Sequence, residues 1–116
     1  MSVPKRILIV EDEPLIAMML EDFLDALDKE VVGTADTVAG GLELVEGGGI
    51  DAAILDVNLR GGEQSWAIAD ALAAVGVPFV LATGSGGDAI AEAHREMPVL
   101  AKPFTMDGVE KALAAL

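Results

Sequence analysis

Four short apolar runs, at residues 7–10, 52–55, 77–82 and 99–101, recur along 116 residues, and each is followed at once by a polar group. The runs are of strand length, rich in aliphatic and β-branched residues, and apolar at every position rather than at alternate ones. That pattern belongs to parallel strands buried on both faces. A weaker run at 30–34 adds a fifth strand.

The intervening segments carry helical spacing. From 14 to 27, Leu15, Met18, Met19, Leu20, Phe23, Leu24 and Leu27 form an apolar stripe, with Asp22, Asp25 and Asp28 outside it and Pro14 in the first turn. A helix over 38–45 is weakened by Gly40 and Gly41 and ended by Gly47, Gly48 and Gly49; another over 64–75 stops at Gly76 and Pro78. Asp88 caps a fourth over 88–95, and 107–116 supplies a fifth. Strands alternating with helices, joined by right-handed crossovers, predict a three-layer α/β sandwich around a parallel sheet. At this length one domain covers 1–116.

Charge narrows the function classes. Twenty acidic and seven basic residues give a net charge of −13, which repels nucleic acid and anionic lipid. Cysteine is absent, excluding disulfides and thiolate metal sites. The apolar run at 7–10 is too short for a signal peptide or membrane span, so a cytoplasmic location is expected.

The polar residues at the strand ends are chemically specific. Glu11, Asp12 and Glu13 follow the first run, Asp56 the second, Thr83 the third and Lys102 the fourth. In an open parallel sheet, ligands bind beyond the carboxyl ends of the strands, so these groups converge on one crevice. Glu11, Asp12 and Asp56 crowded together demand a cation, and hard oxygen donors without His or Cys point to Mg²⁺, Mn²⁺ or Ca²⁺, with Mg²⁺ the best fit. Taken alone, the acidic turn would be a solvated helix start and Asp56 the first residue of a loop. Lys102 weighs against both readings, since a lysine after an apolar strand can neutralise a phosphoryl oxygen; Thr83 offers a hydroxyl to the same oxygen. The 84–87 loop, Gly-Ser-Gly-Gly, lacks the P-loop and dinucleotide spacings. His94, the one histidine, reads as an exposed helical residue, and Trp66 and Phe104 as packing residues.

Together, Ile9-Val10-Glu11-Asp12-Glu13-Pro14, Ile54-Leu55-Asp56-Val57-Asn58-Leu59, Thr83-Gly84 and Lys102-Pro103-Phe104 resemble the response regulator receiver family, a CheY-like superfamily, in the family's order and spacing. The resemblance implies a flavodoxin-like, doubly wound five-stranded sheet in order 2-1-3-4-5. It implies Asp56 as phosphoacceptor, with Mg²⁺ held by Asp12, Asp56 and the carbonyl of Asn58, and with Glu11 acting through water. Lys102 and Thr83 would bind phosphoryl oxygens, and the donor would be a phosphohistidine on a sensor histidine kinase or phosphotransfer protein. Such a domain is a signalling switch of two-component systems rather than an enzyme on external substrates, and here it is expected to stand alone, without an output domain.

Departures from the family pattern are Glu11, where aspartate is common, and Val99, where many receivers carry a switching Tyr or Phe. The segment 78–84 resembles an atypical subgroup with Phe-Ala-Thr-Gly at this strand end, often paired with kinases of the HWE or HisKA2 type. Without the aromatic, signalling through the 84–87 loop and the helix after it is expected. An aspartyl phosphatase would need a second acid where Asn58 stands, and a flavin-binding domain would need a different loop after the first strand. A receiver-like adaptor that binds partners without phosphorylation would not need the full set of phosphorylation groups present here.

Overall fold

The computed structural model describes residues 5–57, 59, 65–83, 99–101 and 104–116. Its strands are β1 (Arg6–Val10), β2 (Glu30–Ala35), β3 (Ala52–Asp56), β4 (Phe79–Thr83) and β5 (Val99–Ala101); its helices are α1 (Pro14–Ala26), α2 (Val38–Gly47), α3 (Trp66–Ala74) and α4 (Met106–Ala114). The expected helix over 88–95 lies outside the described residues.

All neighbouring strands pair in parallel, in the order β2-β1-β3-β4-β5. The double-sided burial read from the apolar runs is realised residue by residue. Leu8, Val10, Ala53, Leu55, Phe79 and Leu81 pack on one face with Ile68, Ala69 and Leu72 of α3 and Val45 of α2. Their neighbours Ile7, Ile9, Ala52, Ile54, Val80 and Ala82 face Leu20 and Leu24 of α1 and Val109 and Leu113 of α4. Alternate residues therefore feed two separate cores, which is why no polar residue interrupts these strands.

On the edge strand β2 the register with β1 slips between Ile7 and Leu8, whose partners are Val31 and Gly33. The bulge leaves Val32 as the extra residue, and it twists an edge that would otherwise offer a regular row of unpaired groups. On the same side, α2 and α3 meet at Gly41, where any side chain would collide with Ile68. The two glycines that looked like helix breakers thus have different settings: Gly41 is a contact point, and Gly40 donates its N–H to the capping hydroxyl of Thr37 at 3.0 Å.

Three expectations need correction. Leu15 and Met18 are 77% and 57% exposed and do not belong to the buried stripe of α1, which centres on Ala17, Leu20 and Leu24. Asp56 is the last residue of β3 rather than the first beyond it, and Leu27 is the cap of α1 rather than part of it.

Candidate functional site

Register builds the site. Val10 of β1 pairs with Leu55 of β3, so the next residues along the two strands, Glu11 and Asp56, emerge side by side at the carboxyl edge of the sheet. Asp56 pairs in turn with Ala82 of β4, and the Val57 N–H donates to the Ala82 carbonyl at 3.1 Å, so the strand direction is held one residue past the carboxylate. On the other flank, the Glu11 N–H donates to the Ala35 carbonyl of β2 at 2.9 Å. Glu11 is thereby clamped between two strands and is only 2% exposed, and Asp56 only 6%.

Asp12 follows in the turn into α1 and is half-buried. The turn is stiffened by the Glu13 N–H, which donates to Glu11 Oε2 at 3.1 Å, and by Pro14, whose fixed backbone opens the helix. As a result the carboxylates of Glu11, Asp12 and Asp56 each present an oxygen within 4.8 Å of the others. Carboxylates this close, two of them largely removed from water, repel one another when ionised, and a cation among them would relieve that repulsion. The donor set, all oxygen and anionic, fits a hard divalent ion, and two of its members, Glu11 and Asp12, also line a cleft of about 260 Å³ with Pro14, Ala17, Thr34 and Asp36.

Of the residues singled out in the sequence, the structure brings Glu11, Asp12 and Asp56 together. Thr83 ends β4, opposite Ala101 of β5, and so lies at the same edge of the sheet. Its side chain, Asn58 and Lys102 lie outside the described residues, as do His94 and the 84–87 loop. Trp66 packs half-buried against one core and Phe104 is buried in the other, which is the packing role expected of both.

Asp36 was missed. It follows β2 directly and joins Glu11 and Asp12 among the residues lining the cleft. The rule that located the other acids, a charge immediately after a strand, finds it as well once β2 is extended to Ala35.

Comparison with known proteins agrees with this geometry. Residues 7–114 match the response regulator receiver domain family. The solution structure of SdrG from Sphingomonas melonis Fr1 is 70% identical, superposes with a TM-score of 0.89 and is covered over 98% of its length by 99% of this chain. The BeF3-activated conformation of SdrG from Pseudomonas melonis Fr1 is likewise 70% identical, with a TM-score of 0.84 and the same coverage. The transcriptional regulatory protein PdtaR of Mycobacterium tuberculosis is 31% identical over 115 residues, 97% of this chain but 56% of PdtaR; the chain spans little more than half of that relative. A parallel sheet in this strand order, an acidic triad at its carboxyl edge and a family match over nearly the whole length converge on one assignment: the chain belongs to the response regulator receiver domain family.

Proposed function

We propose that Asp56 is a phosphoacceptor and that Glu11, Asp12 and Asp56 hold a Mg²⁺ ion beside it, making the domain a phosphorylation-dependent switch. The observation that carries this reading is the convergence of the three carboxylates within 4.8 Å at the ends of β1 and β3. The ion would offset charge on the transferring group and on the carboxylates. An Asp56 oxygen attacks phosphorus in line, the P–N bond of a phosphohistidine breaks, and its electron pair returns to the imidazole; an acyl phosphate results. On this reading Lys102 and Thr83 bind phosphoryl oxygens and the carbonyl of Asn58 completes the metal ligands. A sensor histidine kinase or phosphotransfer protein is the donor, the output is altered binding of a protein partner, and the setting is the cytoplasm. That SdrG is known in a BeF3-activated conformation supports the same chemistry in a chain 70% identical to it.

The donor must reach a carboxylate that is almost fully buried, so a docking surface beside the cleft is required. Leu15 and Met18 are exposed on α1, whose first turn lines the cleft through Pro14 and Ala17. We assign them to kinase docking.

Incubation with acetyl phosphate and Mg²⁺ is expected to add one phosphoryl group by intact mass, lost in Asp56→Asn and on chelation. No addition, or addition that survives Asp56→Asn, contradicts the assignment. Leu15→Asp is expected to slow transfer from a phosphorylated kinase about tenfold or more while leaving transfer from acetyl phosphate unchanged. Equal slowing with both donors would place Leu15 in the site rather than on the docking surface.

A further inference from the structure

Ser65, at the entrance to α3, is fully buried, and its hydroxyl has no hydrogen-bond partner among the described residues. Buried hydroxyls are rarely left so, because desolvation is then uncompensated. The hydroxyl residues at the entrances of two other described helices behave differently. Thr37 (φ −136°, ψ 161°) and Thr105 (φ −120°, ψ 155°) are extended, and each accepts a hydrogen bond from the N–H three residues on, Gly40 and Gly108, both at 3.0 Å. Ser65 has φ −81° and ψ 13°, which turns its side chain away from that position. Its N–H is instead donated to the carbonyl of Val57, 3.1 Å away, the residue next to Asp56.

The two arrangements exclude one another. Buried Ile68, Ala69 and Leu72 anchor α3, so rotation about the Ser65 ψ angle moves the N–H and Cβ while the carbonyl, bonded to the Ala69 N–H at 3.0 Å, stays with the helix. One rotation toward the geometry of Thr37 swings the hydroxyl over the Ile68 N–H and withdraws the Ser65 N–H from Val57. Resting on the assignment of Asp56 as phosphoacceptor, we propose that Ser65 is a two-position cap. Before loading it latches the Val57 carbonyl; after loading it releases Val57 and caps α3. The acyl phosphate enlarges a side chain that is 6% exposed and held at the end of β3, so the strain falls on the adjacent Val57. The latch yields because the capped position satisfies a hydroxyl that the latched one leaves unbonded.

Amide hydrogen exchange and thermal melts with beryllium fluoride and Mg²⁺ test this. In the wild-type chain the melting temperature is expected to rise and the Ile68 amide to exchange about tenfold more slowly once capped. In Ser65→Ala, which lacks the hydroxyl, the unloaded protein is expected to be more stable than wild type, the gain on loading smaller, and the slowing at Ile68 absent. Unchanged Ile68 exchange in a wild-type protein that has gained stability, or equal slowing in Ser65→Ala, overturns the two-position cap alone. No gain in wild type, or a gain that persists in Asp56→Asn, overturns the phosphoacceptor assignment and the cap with it.

Discussion

At the amino edge of the sheet, opposite the acidic cleft, Asp51 shows what a carboxylate does when the backbone supplies its counter-charge. It accepts the N–H groups of Arg6 at 2.9 Å and Lys5 at 3.2 Å. Those backbone hydrogen bonds, Arg6 first and then Lys5, hold its carboxyl below the ordinary carboxylate range, with a smaller contribution from the Arg6 charge. The folded state therefore favours the ionised form, and the stabilisation is present above the unfolded carboxylate range and lost as pH falls through the folded value. Asp51→Asn is expected to lower stability at neutral pH and to flatten the decline on acidification; a decline as steep as wild type in urea melts at successive pH values would contradict this. Glu11, Asp12 and Asp56 instead crowd three carboxylates within 4.8 Å of one another, the arrangement that the proposed metal ion would offset.

Among the elements, the strands were legible because burial on both faces leaves a continuous apolar run, whereas the limits of the helices were not. At about 100° per residue, Leu15 lies roughly 170° and Met18 roughly 130° from the direction of the α1 core, so a list of apolar residues overstated the buried stripe. Ala17 lies in that core but is too small to announce it. Gly41 was read as a weakness of α2, yet the contact it permits is with Ile68 on α3, 27 residues further along the chain and beyond the reach of any local signal. Gly41→Ala should cost about 1–3 kcal/mol by overpacking, and Ile68→Val, which removes the obstructing Cδ1 carbon, should recover part of that loss. Additive losses in a double-mutant cycle would show that the two residues do not share the contact.

Across the whole molecule, topology does what no single segment can. Residues 11 and 12 lie on one stretch of chain and residue 56 on another, and only a parallel sheet that places β1 beside β3 brings their carboxylates to one edge. The sequence rule that functional groups follow strands was sufficient for these three because register converts strand ends into neighbours. It failed for Asp36 because β2, half-exposed and bulged at the sheet edge, lacks the apolar signature that marks a strand end. The latch at Ser65 was beyond sequence reading altogether, since a serine before a helix ordinarily signals a cap and only the backbone angles show that it is not acting as one here. With a net charge of −13, many surface carboxylates can attract a divalent ion weakly, and a site must be distinguished from that background. Paramagnetic broadening by Mn²⁺ at low stoichiometry does so. The amides of Glu11, Asp12, Glu13, Asp56 and Val57 should broaden first, Mg²⁺ should reverse the effect, and the Asp12→Asn, Asp56→Asn double variant should abolish it. Broadening centred instead on the exposed acids of α1, Asp22 and Asp25, and indifferent to the double variant, would contradict a metal site at the ends of β1 and β3.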